Sequence, residues 1–442
     1  GDAHSTTRVQ KPAARKGSPP PPLFIPDVQA HINSVAERLR EALRVALEHA
    51  MPGPRRMSDL SGTLGLDKSL ASRVNRAALA ATPIEALALG PGAAGYRLLL
   101  ERLIDRHGSS AEFQRLAVAI DALEDAYANF PGGRHGFDAA LLAWFPVSRQ
   151  KAERRARQQI FNATLVLMGL EVELTYYVYV YAPSRADPTA ADLILVQHHR
   201  NVRRARLGGR AIISGLPSIH ANDPMSPLTD DAIRMETLDG RPLRSDASIA
   251  MVTDLCSPPD APLMVMERGN TSLFVAPGTL PALGEKLTAT VGVVGRNMLP
   301  RWAGTDPGAE THLSNFVTMR KPVKLLVLDV LVDERLNLGE PRLTVSAASA
   351  GPHARSPDDD DLAEMPQALE FQPVGVLRSS DLSRLAFKNF DGIPAIAARA
   401  VAATSGPSQM LRAHRLTVEY PIPHARHTMW LALPPAPPDQ RS

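Results

Sequence analysis

The chain has 442 residues, 49 Lys plus Arg against 46 Asp plus Glu, and one cysteine, Cys256. That length excludes a single ordinary core and sets an expectation of two or three folded units, and the lone cysteine excludes an intramolecular disulfide. Residues 1–210 hold 28 basic and 20 acidic side chains and the remainder 21 and 26, a polarity that suits a polyanion-binding N-terminal part joined to a mildly acidic second part.

Residues 1–27 include the run "KGSPPPPLFIP". A proline run can neither nucleate a helix nor join a sheet interior, so this stretch is predicted to be a disordered tail. From Val28 to Met51, Ile32, Val35, Leu39, Leu43 and Leu47 recur every three to four residues, an amphipathic helix ended by "MPGP". Phe113, Leu116, Ile120, Leu123 and Tyr127 form a second helical stripe. A helical module is expected over 28–135 and connecting helices over 136–169. The latter include the basic helix "PVSRQKAERRARQQIFNATLVLMG", closed by Gly169 as a C-cap.

The hydrophobic period changes at "EVELTYYVYVYAP", which alternates and is rich in Val, Thr and Tyr. Further strands are predicted at "DLILVQHH", "RAIISG", "APLMVME", "TSLFVAP", "KLTATVGVVG", "VKLLVLDVLVD", "PRLTVSAAS", "HRLTVEYPI" and "TMWLALP". Short helices are predicted at "SSDLSRLAF" and "IPAIAARAVAAT", and an exposed loop at "GPHARSPDDDDLAEMPQ". The fold class is therefore α+β, with a large mostly β domain over 170–435. The most apolar run, Ala163 to Ala182, carries Glu171 and Glu173 and turns into alternation, so it reads as a helix end and a strand, not a membrane span. No charged-then-apolar leader opens the sequence, and with the single cysteine this gives the expectation of a soluble, cytoplasmic protein.

The most informative stretch is "MSDLSGTLGLDKSLASRVNRAAL", residues 57–79. Leu60 and Leu64 would face a core from a first helix, Ser61 is small enough for a close crossing, and Gly65 supplies a turn with a positive backbone angle. Asp67 would cap a second helix, with Leu66, Leu70, Ala71 and Val74 continuing the core. The opposite face would then carry Ser69, Ser72, Arg73 and Arg76, flanked by Lys68 and Asn75, donors suited to phosphates and base edges.

On these residues the stretch resembles the helix-turn-helix of bacterial transcription regulators, above all winged-helix repressors, over residues 55–80 only. The resemblance implies that Lys68, Ser69, Ser72, Arg73 and Arg76 face a DNA groove, and that two-fold dimers match successive major-groove faces. It also implies strands and a basic turn after Leu79, where the sequence instead has the helical "ATPIEALALGPGAAGYRLLLERLIDRHG". Two secondary basic clusters offer further phosphate contacts: Arg149, Lys151, Arg154, Arg155 and Arg157 on the connecting helix, and Arg200, Arg203, Arg204, Arg206 and Arg210 after His198 and His199. The stronger reading of each is a solvated face, or partners for acidic residues at a subunit interface.

Other motifs carry less. "GPGAAG", Gly90 to Gly95, has a dinucleotide-turn spacing, but the strand required before Asp121 falls inside a helical stripe and Tyr96 stands where a phosphate loop needs lysine, so a helix start at Ala93 is expected. "HARH", His424 to His427, lacks cysteine or spaced carboxylate companions for a metal, and "DDDD", Asp358 to Asp361, lacks a calcium-loop pattern. No catalytic residue, metal ligand or cofactor motif is assigned. The expectation is a DNA-binding protein resembling a bacterial transcription regulator, with double-stranded DNA as partner, no membrane, and a C-terminal sensing or assembly domain that leaves room for a homodimer or an unknown small-molecule effector. The alternatives are a structural or assembly protein using the helical module for protein contacts, and an enzyme with a dispersed active site in the β-rich region.

Overall fold

The protein is described as a computed structural model over residues 26–53, 57–143, 146–206, 208–217, 234–243, 247–268, 271–304, 310–347, 370–388, 390–404 and 410–437, with positions 357 and 406. The expected N-terminal tail up to residue 25 and the aspartate-rich loop lie outside these residues, apart from position 357 within the loop. The chain is α+β and divides into two compact units, Gly1–Arg149 and Gln150–Ser442.

The first unit is helical throughout its described residues: α1 (Pro26–Ala50), α2 (Met57–Leu64), α3 (Lys68–Leu79), α4 (Pro83–Leu89), α5 (Ala93–His107), α6 (Ala111–Asn129) and α7 (Gly133–Ala143). The predicted stripes form its core, where Ile32, Leu39, Leu43 and Leu47 of α1 meet Phe113, Leu116, Ile120 and Leu123 of α6. Fully burying one such side chain contributes about 1.5–3 kcal/mol. The helices start where the chemistry allows. Ser110 accepts from the Phe113 N–H at 3.3 Å and Thr82 caps α4 with Pro83 in its first turn. "GPGAAG" opens α5 at Ala93, as expected of a helix start.

The boundary falls later than the sequence suggests. Helix α7, expected among the connecting helices, belongs to the first core, because Phe137 is fully buried and meets Tyr127 and Phe130 edge to face at 4.9 and 5.5 Å. Helix α8 (Pro146–Met168) ends at Gly169, whose φ is +64° and whose N–H reaches Leu165 O at 2.7 Å, a C-cap as expected.

The second unit is built on a seven-stranded sheet. Its strands are β1 (Leu170–Pro183), β2 (Ala190–Arg204), β4 (Arg234–Thr237), β7 (Leu287–Pro300), β9 (Val323–Asp333), β11 (Glu370–Arg378) and β12 (Met410–Glu419), in the order β11-β12-β9-β1-β2-β7-β4. Strand β1 runs parallel to β9, pairing Tyr176 with Val327 and Val180 with Leu331, and the other pairings are antiparallel. Two three-stranded sheets accompany it: β3 (Ala211–Pro217), β6 (Thr271–Ala276) and β5 (Met264–Arg268), and β10 (Pro341–Ala347), β13 (Ala425–Ala432) and β8 (His312–Thr318).

The large sheet is covered on both faces, which explains why β1 is buried at almost every position rather than at alternate ones. One face carries Tyr177, Tyr179, Tyr181 and Leu195 and packs with Ile213, Phe274, Leu313 and Met429 of the small sheets. The other carries Tyr176, Val178, Val180 and Ile194 and packs with Ile393, Ile396, Ala397 and Ala400 of α9 (Ile393–Ala402). On this face Asp329 accepts two bonds of 2.6 Å from Arg415 and one of 2.9 Å from the Tyr176 hydroxyl, a fully buried and mutually satisfied group.

Candidate functional site

The predicted helix pair is present with the expected local chemistry. Helices α2 and α3 are joined by residues 65–67, with Gly65 at φ +62°. The Ser61 hydroxyl donates to Leu66 O at 2.8 Å, tying the first helix to the turn. Asp67 Oδ1 accepts from the backbone N–H groups of Ser69 at 2.8 Å and Leu70 at 2.9 Å, so α3 is capped as the sequence suggests. Leu60, Leu64, Leu66, Leu70, Ala71 and Val74 are all buried in the helical core.

The opposite face of α3 holds the six residues singled out for nucleic-acid contact. Lys68, Ser69, Arg73 and Arg76 are exposed, and Ser72 and Asn75 half-buried. No ion pair or side-chain hydrogen bond engages Lys68, Arg73 or Arg76 among the described residues. Three cationic side chains thus project from one side of one capped helix with no intramolecular demand on them. Beyond α3 the unit continues as α4 and α5, so the strands of a wing are absent among its described residues.

The secondary clusters are used differently. On α8, Arg154 pairs with Glu419 and stacks over Tyr420 at 5.8 Å. Arg157 is buried and donates to Glu419 O at 3.0 Å. Arg155 is exposed, while the side chains of Arg149 and Lys151 lie outside what is described. On β2, Arg200 lies over the Phe390 ring at 4.8 Å and Arg203 faces Glu171 at 4.0 Å. Buried Arg204 donates to Leu280 O at 2.8 Å and Pro277 O at 2.9 Å. Arg206 bonds Leu167 O and Arg210 approaches Met266 Sδ at 3.8 Å. Arg154 and Arg157 of α8 and the set at 200–210 are therefore not brought into one free cationic surface.

A cavity of about 450 Å³ lies in the second unit, between the seven-stranded sheet and the two small sheets. Strands β1 and β2 contribute Tyr177, Tyr179, Tyr181, Leu195, Gln197 and His199, and the opposite side adds Ile213, Ser214, Phe316, Lys321 and Arg426. The tyrosine hydroxyls at 179 and 181 are spent on Phe316 O at 2.8 Å and Asn315 Oδ1 at 2.6 Å, so these residues offer ring faces. Ser214 donates to Gln197, which donates onward to Gly215 O at 2.8 Å. His199 Nδ1 meets Thr175 Oγ1 at 3.1 Å, and burial, followed by the charge of Lys321, holds the ring well below the usual histidine range. Lys321 is buried, bonds the carbonyl oxygens of Ile213 and, at 3.4 Å, Ile212, and is pulled down to about 7 by desolvation and then by Arg320.

The sequence does not reveal this cavity. Its tyrosines are visible as alternate residues of one strand, but Lys321 stands in the linker before β9 and nothing in "MRKPVK" announces a buried ammonium. His427 is fully buried within β13 and held at about 4 by desolvation, whereas His424 sits in the preceding turn at φ +61°. Among the described residues no group of His, Cys, Asp and Glu could hold a metal ion. Cys256 is buried and its thiol is pushed up by desolvation, the opposite of an activated nucleophile. No helix among the described residues is long and apolar enough to cross a membrane.

No protein-family model matches this sequence, and no curated protein matches it. Among solved structures, the chain is similar to one described as "a putative protease" from Parabacteroides distasonis ATCC 8503, at 10% identity over 60% of this chain and 41% of that one, with a TM-score of 0.23. The match spans less than half of that protein, and a likeness so slight gives neither fold nor activity.

Proposed function

We propose that this protein binds double-stranded DNA through α3, as the regulators that residues 55–80 resemble do, and that the β-rich unit serves as its sensing or assembly domain. The observation that carries the reading is the face of α3: Lys68, Arg73 and Arg76 are exposed and unengaged on a helix whose N-terminus is capped by Asp67 and whose opposite side is locked into the core. Several arginines elsewhere among the described residues are committed to carboxylates or carbonyls, as at positions 97, 204, 296 and 415, whereas Arg44, Arg102, Arg106 and Arg115 of the helical unit are exposed like Arg73 and Arg76. In this reading Arg73 and Arg76 supply phosphate and base-edge contacts, and Ser69, Ser72 and Asn75 supply shorter-range hydrogen bonds. A cytoplasmic location and a two-fold dimer are parts of the same reading.

The test is fluorescence anisotropy of a labelled random duplex at two salt concentrations, with the parent chain and the Arg73→Ala and Arg76→Ala variants. The parent is expected to bind with a steep inverse dependence on salt, and each variant to bind more weakly with a salt slope smaller by about one. Salt-insensitive binding, or parent and variants that behave alike, would reject α3 as the contact surface.

A further inference from the structure

We propose that the cavity between the three sheets of the second unit binds a small, mainly apolar carboxylate, with its acid group on Lys321 and its body against the rings of Tyr177, Tyr179 and Tyr181. The proposal stands apart from the DNA reading, and its test involves no nucleic acid.

The volume of about 450 Å³ lies within the range of small-molecule sites. At roughly 30 Å³ per water-sized volume it admits a ligand on the order of ten to fifteen non-hydrogen atoms. The walls favour an apolar body, since the hydroxyls of Tyr179, Tyr181 and Ser214 and the amide of Gln197 are already bonded to other protein groups. What the walls lack among the described residues is a carboxylate bonded to Lys321. Lys321, Arg320 and Arg426 all line the space, and its one acidic lining residue among those described, Glu310, is exposed.

Lys321 is 7% exposed and engages two carbonyl oxygens, of Ile212 and Ile213, although an ammonium has three donors. Its depressed proton affinity reflects an ammonium buried without an opposite charge. Two further buried nitrogens on lining residues have no partner in the described structure, His199 Nε2 and Arg426 Nε. A carboxylate entering here would form a charge-assisted hydrogen bond to Lys321 and supply acceptors to a site that is rich in donors. A neutral molecule of the same shape would gain the apolar contacts but leave the ammonium unpaired, and discrimination between the two is the mark of the site.

Isothermal titration calorimetry of the full chain with naphthoate and with its neutral isostere naphthamide makes that comparison directly. Naphthoate is expected to bind one to one and at least about tenfold tighter than naphthamide. In Lys321→Met and Lys321→Gln the two affinities are expected to converge to within about twofold, with circular dichroism unchanged. Equal affinities in the parent, no binding of either probe at millimolar concentration, or a preference that survives in both variants would overturn the proposal. Should both variants fail to fold, the comparison of the two probes on the parent still decides it, because that comparison needs no substitution.

Discussion

Lys321→Met is expected to stabilise the β-rich unit near neutral pH and to lose that advantage as the pH rises. In the folded chain the ammonium is brought from the ordinary 10.5 down to about 7, chiefly by desolvation. At 1.36 kcal/mol per pH unit, the charged form is disfavoured in the fold by about 5 kcal/mol at the limit. Local relaxation, and the two carbonyls that lose their donor in the variant, reduce the expected gain to about 2–3 kcal/mol. The sign follows from proton counting. Between pH 7 and 10.5 the unfolded chain holds a proton that the folded chain has released, so parent stability rises with pH across this window, while below 7 both states are protonated and the cost is fully present. His199, which also lines the cavity, is held well below the usual histidine range by burial and stays neutral across this window. Urea unfolding followed by tryptophan fluorescence, to which buried Trp430 contributes, would be run on both proteins from about pH 6 to about pH 10. The variant should be the more stable at the acid end and the curves should converge at the alkaline end. A constant offset, or a less stable variant at pH 6, would refute the assignment of an unpaired buried ammonium.

Two further substitutions test how the structure is held. Asp67→Ala removes the acceptor for two backbone N–H groups at the start of α3 and should lower stability by about 1 kcal/mol, and Gly65→Ala, which meets no neighbour but forces φ +62° on a residue with a Cβ, by about 1–2 kcal/mol. Thermal melts of the isolated substitutions and of the double variant check both, and an unchanged melting temperature in either contradicts the turn geometry. In the second unit, Asp329→Ala leaves the Arg415 guanidinium buried without its carboxylate and should cost about 3–5 kcal/mol, while Tyr176→Phe, which removes one of three bonds to Asp329, should cost about 1 kcal/mol. Equal losses in the two variants, measured by urea unfolding, would mean that the ion pair is not the element that matters.

Local signals made much of the architecture legible. The helical stripes through Leu39 and Leu123 and the cap at Asp67 depend on residues within one or two turns of each other, and each is found where its spacing places it. Strands β4, β8 and β11 went unanticipated for identifiable reasons. Strand β8 carries Asn315 inward, a residue that disfavours a strand unless its amide is satisfied, and here Tyr181 and Met429 O satisfy it from distant segments. Strand β11 contains Pro373 and Gly375 and shifts register between them, which an edge strand tolerates. Strand β4 is four residues long and pairs on one side of the sheet's far edge. The basic face of α3 is legible because it repeats along one helix. The cavity is not, because Tyr177, Ser214, Lys321 and Arg426 are neighbours only once three sheets have assembled.

The use of arginine separates the two kinds of basic cluster better than their density does. Three closely spaced cations on α3 and the runs at 154–157 and 200–206 look alike in sequence, yet the second and third are largely absorbed by the fold. Arg204 satisfies two carbonyls of the β6–β7 connection, Arg157 a carbonyl at the end of β12, and Arg206 the last turn of α8. Removing the guanidinium of Arg204 or Arg157 would strand part-buried acceptors, so selection for folding alone accounts for their presence. Nothing of that kind accounts for Arg73 and Arg76: truncating either leaves no buried group unsatisfied in the described structure, and at an exposed site the effect on stability should stay within about 0.5 kcal/mol. The same reasoning applied in reverse picks out Lys321, a cation whose burial costs stability and which no carboxylate among the described residues repays. The cationic face of α3, which folding does not need, and the buried ammonium of Lys321, which folding would do better without, are the features on which we propose contact with DNA and with a small acid.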